Sequence, residues 1–121
     1  MSGNGKKKIS DKLTKRIIGI AYWAVNVSYN EPIKFRIEKN YAACERKMLL
    51  TYILKRHTAV LSIDITKFLK LKSHASVNAY IKKVCDMRDV YKDFSILIED
   101  VEENFKNGLL AAGLNKYYYE K

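Results

Sequence analysis

The chain has 121 residues, 48% of them hydrophobic, with one proline and five glycines. A chain of this size forms one domain with its own core, and so few obligatory breaks exclude a disordered tail or a many-turned β fold and favour long helices. The formal net charge of +10 is unevenly placed, with ten Lys/Arg against three Asp/Glu in residues 34–72 and seven against eight in residues 73–121, a one-sided field that suits a polyanion.

Residues 1–9 are rich in Gly and Lys and are expected to form a disordered basic arm. Ser10 or Asp11 can cap a first helix, in which Leu13, Ile17, Ile20, Ala21 and Ala24 recur at three and four, ending near Asn26 to Ser28. Lys6–Lys8 followed by the run Ile17–Val25 has the outline of a signal peptide. No small-residue cleavage pattern follows it, and the nine residues of the run fall short of the roughly 20 needed to span a bilayer. The segment therefore reads as a core-facing helix with Trp23 inside, and no membrane partner is expected.

Residues 29–39, where Ile33, Phe35 and Ile37 alternate with polar residues, read as a basic connecting loop because a lone strand has no partner. A second long helix is predicted from Asn40 to Arg56, with Ala43, Lys47, Leu50 and Leu54 aligned. Ser62 is a candidate N-cap for a third helix reaching Lys70, with Ile65, Phe68 and Leu69 on its apolar face. After the break Leu71–Ser73, a fourth helix starts at His74 or Ala75, with Val77, Ile81, Val84 and Arg88 on one stripe and Asn78, Lys82 and Asp86 on another. The last helix runs from Asp93 to Phe105, Phe94 inward and Glu99, Asp100, Glu102 and Glu103 toward solvent. The expected organisation is a basic arm 1–9, an all-α helical domain 10–106 and a tail 107–121.

Cys44 and Cys85 read as buried free thiols in a reducing, cytoplasmic setting; with His57 and His74 they match no zinc spacing. His57 reads as a cap or surface residue. No nucleophile–base grouping, no paired carboxylates with supporting context and no phosphate-binding Gly-x-x-x-x-Gly-Lys loop is present. A non-enzymatic protein without metal or cofactor is therefore expected.

The informative unit is residues 61–84: a short helix, a three-residue break and a longer helix. Ser73, His74, Ala75, Ser76 and Asn78 make the start of the second helix small and polar, which lets a helix approach base edges and offers hydrogen bonds and methyl contacts. Lys67, Lys70, Lys72 and Lys82, with Arg46 and Lys47 upstream, are placed as candidate phosphate contacts.

The stretch Ile65 to Val84 resembles the signature of the helix-turn-helix DNA-binding domain of the bacterial replication initiator DnaA. Ile65, Lys72, His74, Ser76, Val77, Lys82, Lys83 and Val84 match the family pattern in type and spacing; Glu45–Leu50 resembles the start of its long helix and Lys92–Ile98 its final helix. The resemblance covers residues 17–105 and implies an all-α bundle of the Trp-repressor or DnaA C-terminal type that binds double-stranded DNA in the major groove. Where the family has Asp before the His, this chain has Ser73; the first Thr after it is Ala75, and the Gly-rich turn is Lys70-Leu71. These changes fall on the segment that reads the initiator's DNA box, while the basic residues that serve general duplex binding remain, in a stand-alone chain without the ATPase module. A second reading stands beside this one: a small structural or interaction protein, such as a virion-associated one, that keeps the fold and docks a protein partner through Leu109–Tyr119.

Overall fold

The computed structural model describes residues 9–29 and 41–120, with side chains in the second helix described from Glu45 onward. Residues 1–8 of the expected basic arm, the loop expected at 29–39 (beyond Tyr29) and the Cys44 thiol lie outside the described residues, while Ile9, the last residue of the expected arm, packs against the core. Among the described residues five α-helices follow one another: α1 Asp11–Tyr29, α2 Tyr41–His57, α3 Ser62–Leu69, α4 His74–Val90 and α5 Lys92–Ala111, then a 3-10 turn, Asn115–Tyr117. The architecture is all-α, a helical bundle.

Helix α1 begins as its sequence dictates. Ser10 Oγ accepts the Leu13 N–H at 3.2 Å, and Asp11 sits in the first turn against the helix dipole. Its buried face, Thr14, Ile17, Ile18, Ala21, Ala24 and Val25, packs mainly against α5. The two helices approach closely because α5 offers Gly108 there: a Cβ at that position would stand 2.8 Å from Ile20 Cγ2 and 3.1 Å from the Trp23 ring. Trp23, expected inside, is instead 48% exposed. It lies on the outer edge of the stripe, with one side of its ring against Gly108 and the other in solvent.

Helix α2 is the central strut. Met48, Leu49, Leu50, Tyr52, Ile53 and Leu54 are all buried, so α2 is wrapped on most sides and carries little amphipathic pattern, as expected for a buried helix. Its interior hydroxyls are satisfied locally: Thr51 Oγ1 donates to Lys47 O at 3.0 Å and Thr58 Oγ1 to Leu54 O at 2.6 Å.

Helix α5 runs six residues beyond the expected end at Phe105. Asn107-Gly108 reads as a stop only when Gly108 is taken as a cap; here it is a packing residue, and Leu109 continues the inward stripe of Ile98, Val101 and Phe105. The true stop is Gly113, at φ 73°, with Leu114 N–H donating to Leu109 O at 2.8 Å and Gly113 N–H to Leu110 O at 3.0 Å. This is a Schellman closure with glycine in the left-handed position.

The segment after it, expected to be a free docking tail, folds back onto the body. Leu114 is buried, Tyr118 stacks on His57 at 4.6 Å, and Tyr119 N–H donates to His57 O at 2.7 Å. His57, expected at the surface, is 2% exposed. Its Nδ1 lies 2.8 Å from Tyr119 O and its Nε2 lies 2.6 Å from Glu102 Oε2. A carbonyl oxygen only accepts, so the Tyr119 contact requires the hydrogen on Nδ1. Glu102 is thus half withdrawn from the acidic solvent face expected of α5, because it turns to meet His57 where that ring stacks with Tyr118, itself tilted against Phe105. Burial, helped by Glu102, pushes the Tyr118 phenol up to about 12, so the ring stacked on His57 stays neutral through the physiological range.

Arg88, placed by its spacing on the inward stripe of α4, is half-buried and donates from Nη1 to Tyr52 Oη at 2.8 Å; Arg56 Nη1 donates to the same oxygen at 2.9 Å. The Arg88 bond ties α4 to α2, while Arg56, one turn along α2 from Tyr52, holds the same phenol from within the helix.

Candidate nucleic-acid interface

Helix α3 ends in the same hydrogen-bond pattern as α5 but with a different residue in the strained position. Leu71 N–H donates to Thr66 O at 2.9 Å and Lys70 N–H points to Lys67 O at 3.4 Å, with Lys70 at φ 57°, ψ 43°. Lys70 is the one non-glycine residue with positive φ among the described residues. A side chain in this region costs on the order of 1 kcal/mol relative to glycine. Lys70→Gly is expected to raise stability by about 1 kcal/mol, measured by urea unfolding. Unchanged or lowered stability would show that the Lys70 side chain makes a compensating contact. Leu71 tucks against the core, and this anchors the turn so that Lys70 and Lys72 point outward.

Ser73 begins α4 in an extended conformation (φ −162°, ψ 168°), and its hydroxyl makes no cap bond. The expected N-cap of α3, Ser62, is its first helical residue; Leu61 occupies the cap position. On α4, Val77, Val84 and Met87 face the core, and Ser76, Tyr80 and Ile81 lie at its margin. The opposite side is an exposed stripe made of His74, Ala75, Asn78, Ala79, Lys82 and Lys83. The spacing of three and four puts these residues on one helix face. Small side chains occupy its first two turns and lysines its third. Lys82 lies 3.4 Å from Asp86, a highly exposed i,i+4 pair of little energetic weight.

Lys67, Lys70, Lys72 and Ser73 are exposed and flank this stripe. From Ile65 to Cys85 the sequence holds five lysines and no carboxylate, so the end of α3, the turn and the first turns of α4 carry only positive charge, with Asp64 half-buried in the first turn of α3 just before this run.

Arg46 and Lys47 do not join it. Arg46 is 2% exposed, with its guanidinium 5.4 Å from the centre of the Tyr29 ring; Lys47 is half-buried on the same helix. Their spacing put them within reach of phosphates only if α2 were peripheral, and α2 is the central helix. Lys83 and Ala79 belong to the exposed stripe but were not among the expected contacts. The four-residue step from Ala75 through Ala79 to Lys83 was the signal for them.

Among the described residues no cluster of three metal-ligand side chains occurs, and no helix is long and apolar enough to cross a membrane. Comparison with family models, with curated proteins and with solved structures finds no match to this chain.

Proposed function

We propose that this protein is a non-enzymatic double-stranded-DNA-binding protein in which α3, the turn at 70–73 and α4 act as a helix-turn-helix. In this reading α4 enters the major groove. His74, Ala75, Asn78 and Ala79 meet base edges, while Lys67, Lys70, Lys72, Ser73 and Lys82 hold phosphates on either side, joined by Lys83.

The observation that carries the reading is the lysine-flanked exposed stripe of small and polar residues that opens α4, free of carboxylates as far as Lys83 and followed by Asp86. A protein whose surface only needs solubility mixes both charge signs. Here residues 65–85 carry lysines and no carboxylate, and these lysines surround a helix start narrow enough for close backbone approach to a groove. Ser76, half-buried, supports the helix start rather than meeting a base.

The test is fluorescence anisotropy of a labelled duplex of about 20 base pairs, titrated with the protein at several salt concentrations. Five lysine–phosphate contacts, the neutral Ser73 not counting, give a log–log salt slope of roughly −4.5. No binding at about 50 mM salt, or binding indifferent to salt, would overturn the reading.

A further inference from the structure

The outer face shared by α1 and α5 is built differently from the lysine-flanked surface. Gly108 sits beside Ile20 and Trp23, and Asn104 Nδ2 donates to Ser28 Oγ at 2.9 Å. Residue numbers rise along α1 as they fall along α5, so the two helices are antiparallel. Between them lies a shallow surface groove of about 280 Å³ lined by Gly19, Ile20, Trp23, Gly108 and Ala111. Trp23 and Val27, at 48% and 43% exposure, present apolar surface along its edge.

The charges on this face are separated by sign. Lys12 and Arg16 are exposed on α1 at one end of the groove, and Asp100 and Glu103 are exposed on α5 toward the other. At 1.5 Å rise per residue, Arg16 and Lys12 lie roughly 10 and 16 Å to one side of Trp23, and Asp100 lies roughly 14 Å to the other. None of the four makes an ion pair among the described residues. A surface with a basic end, an acidic end and an apolar centre about midway between them is complementary to its own copy turned by 180° about the centre.

We propose that a second copy of this chain docks here, forming a two-fold dimer through α1 and α5. Trp23 of each copy packs into the Gly19–Gly108 groove of the other, and Arg16 of each faces Asp100 of the other. An aromatic anchor at the centre of a small patch with charges at its rim is the arrangement that gives a specific, modest-affinity contact.

Trp23 is the single tryptophan of the chain, so its emission reports this surface directly. The experiment is sedimentation velocity and tryptophan emission between about 5 and about 500 µM protein, for the wild type, Arg16→Glu, Asp100→Lys and an equimolar mixture of the two variants. The expected result is a concentration-dependent dimer with blue-shifted emission, at least tenfold weaker association for each variant alone, and recovered association in the mixture, where unlike charges face each other again. Because Arg16 and Asp100 are exposed, each variant is checked for unchanged helicity by circular dichroism. A monomer at every concentration, or a dimer indifferent to both variants, would overturn the proposal. Either result leaves the DNA titration unaffected, since neither residue belongs to the α3–α4 surface.

Discussion

Replacing Lys67, Lys70 and Lys72 together by glutamine is expected to lower duplex affinity by roughly 500-fold at about 0.1 M salt and to reduce the salt slope by about 2.7. Each lysine that neutralises a phosphate releases about 0.9 of a counterion, and at that salt each release favours binding by close to one order of magnitude. All three side chains are exposed, so the fold should remain as stable as the wild type. The paired measurement is the Asn78→Ala variant, which should leave the slope unchanged while altering the ranking of duplex sequences, because a base-edge contact carries no counterion. A triple variant that binds within fivefold of the wild type would remove α3 and the turn from the interface. Lys70→Gly sharpens the assignment: it should gain stability and lose affinity, two effects of opposite sign that a purely structural lysine would not show.

The second large effect belongs to the joint that closes the C-terminal segment. His57→Ala removes the Nδ1 bond to Tyr119 O, the 2.6 Å contact with Glu102 and the ring stacked on Tyr118. A hydrogen bond to a charged group contributes about 1.5–3 kcal/mol and an aromatic stack about 0.5–1.5. Glu102 keeps some access to water and lies 3.8 Å from Arg56 Nε, which softens the loss. The expected destabilisation is about 3 kcal/mol, a fall of roughly 10 °C in Tm. Limited proteolysis should then cut first after Gly113, where the chain leaves α5. Glu102→Gln keeps a neutral hydrogen bond and should lose about half as much. A His57→Ala variant within 0.5 kcal/mol of the wild type would show that the segment is held by Leu114 and Tyr119 alone.

Helices α1, α3, α4 and α5 were legible because each presents an apolar stripe at three-and-four spacing, and α3, the break and the start of α4 lie within a residue of where the pattern puts them. The misreadings share one cause: periodicity says which side of a helix is apolar, not which helix will be central. Arg46 reads as a surface cation until α2 proves to be surrounded. Trp23 reads as core until the close α1–α5 approach at Gly108 sets its ring at the rim of the contact, against Gly108 on one side and solvent on the other. His57 and Glu102 lie 45 positions apart, and no local pattern joins them; only the return of the C-terminal segment does. The exposed stripe on α4 could be read directly, since its small residues and lysines are consecutive in one helix, and its extension to Ala79 and Lys83 required only one more turn of the same register.

The pairing of α1 with α5 also sets an order of events. Helix α1 has the later-made α5 as its principal neighbour and α2 as a lesser one, so much of its apolar stripe stays uncovered until α5 exists. The α2–α3–α4 middle can associate through shorter loops and is expected to organise first, with α1 and α5 docking on it in a later, slower step that closes the longest loop in the molecule. In a growing chain, the residues in greatest need of protection are therefore Ile17, Ile18 and Val25 of α1.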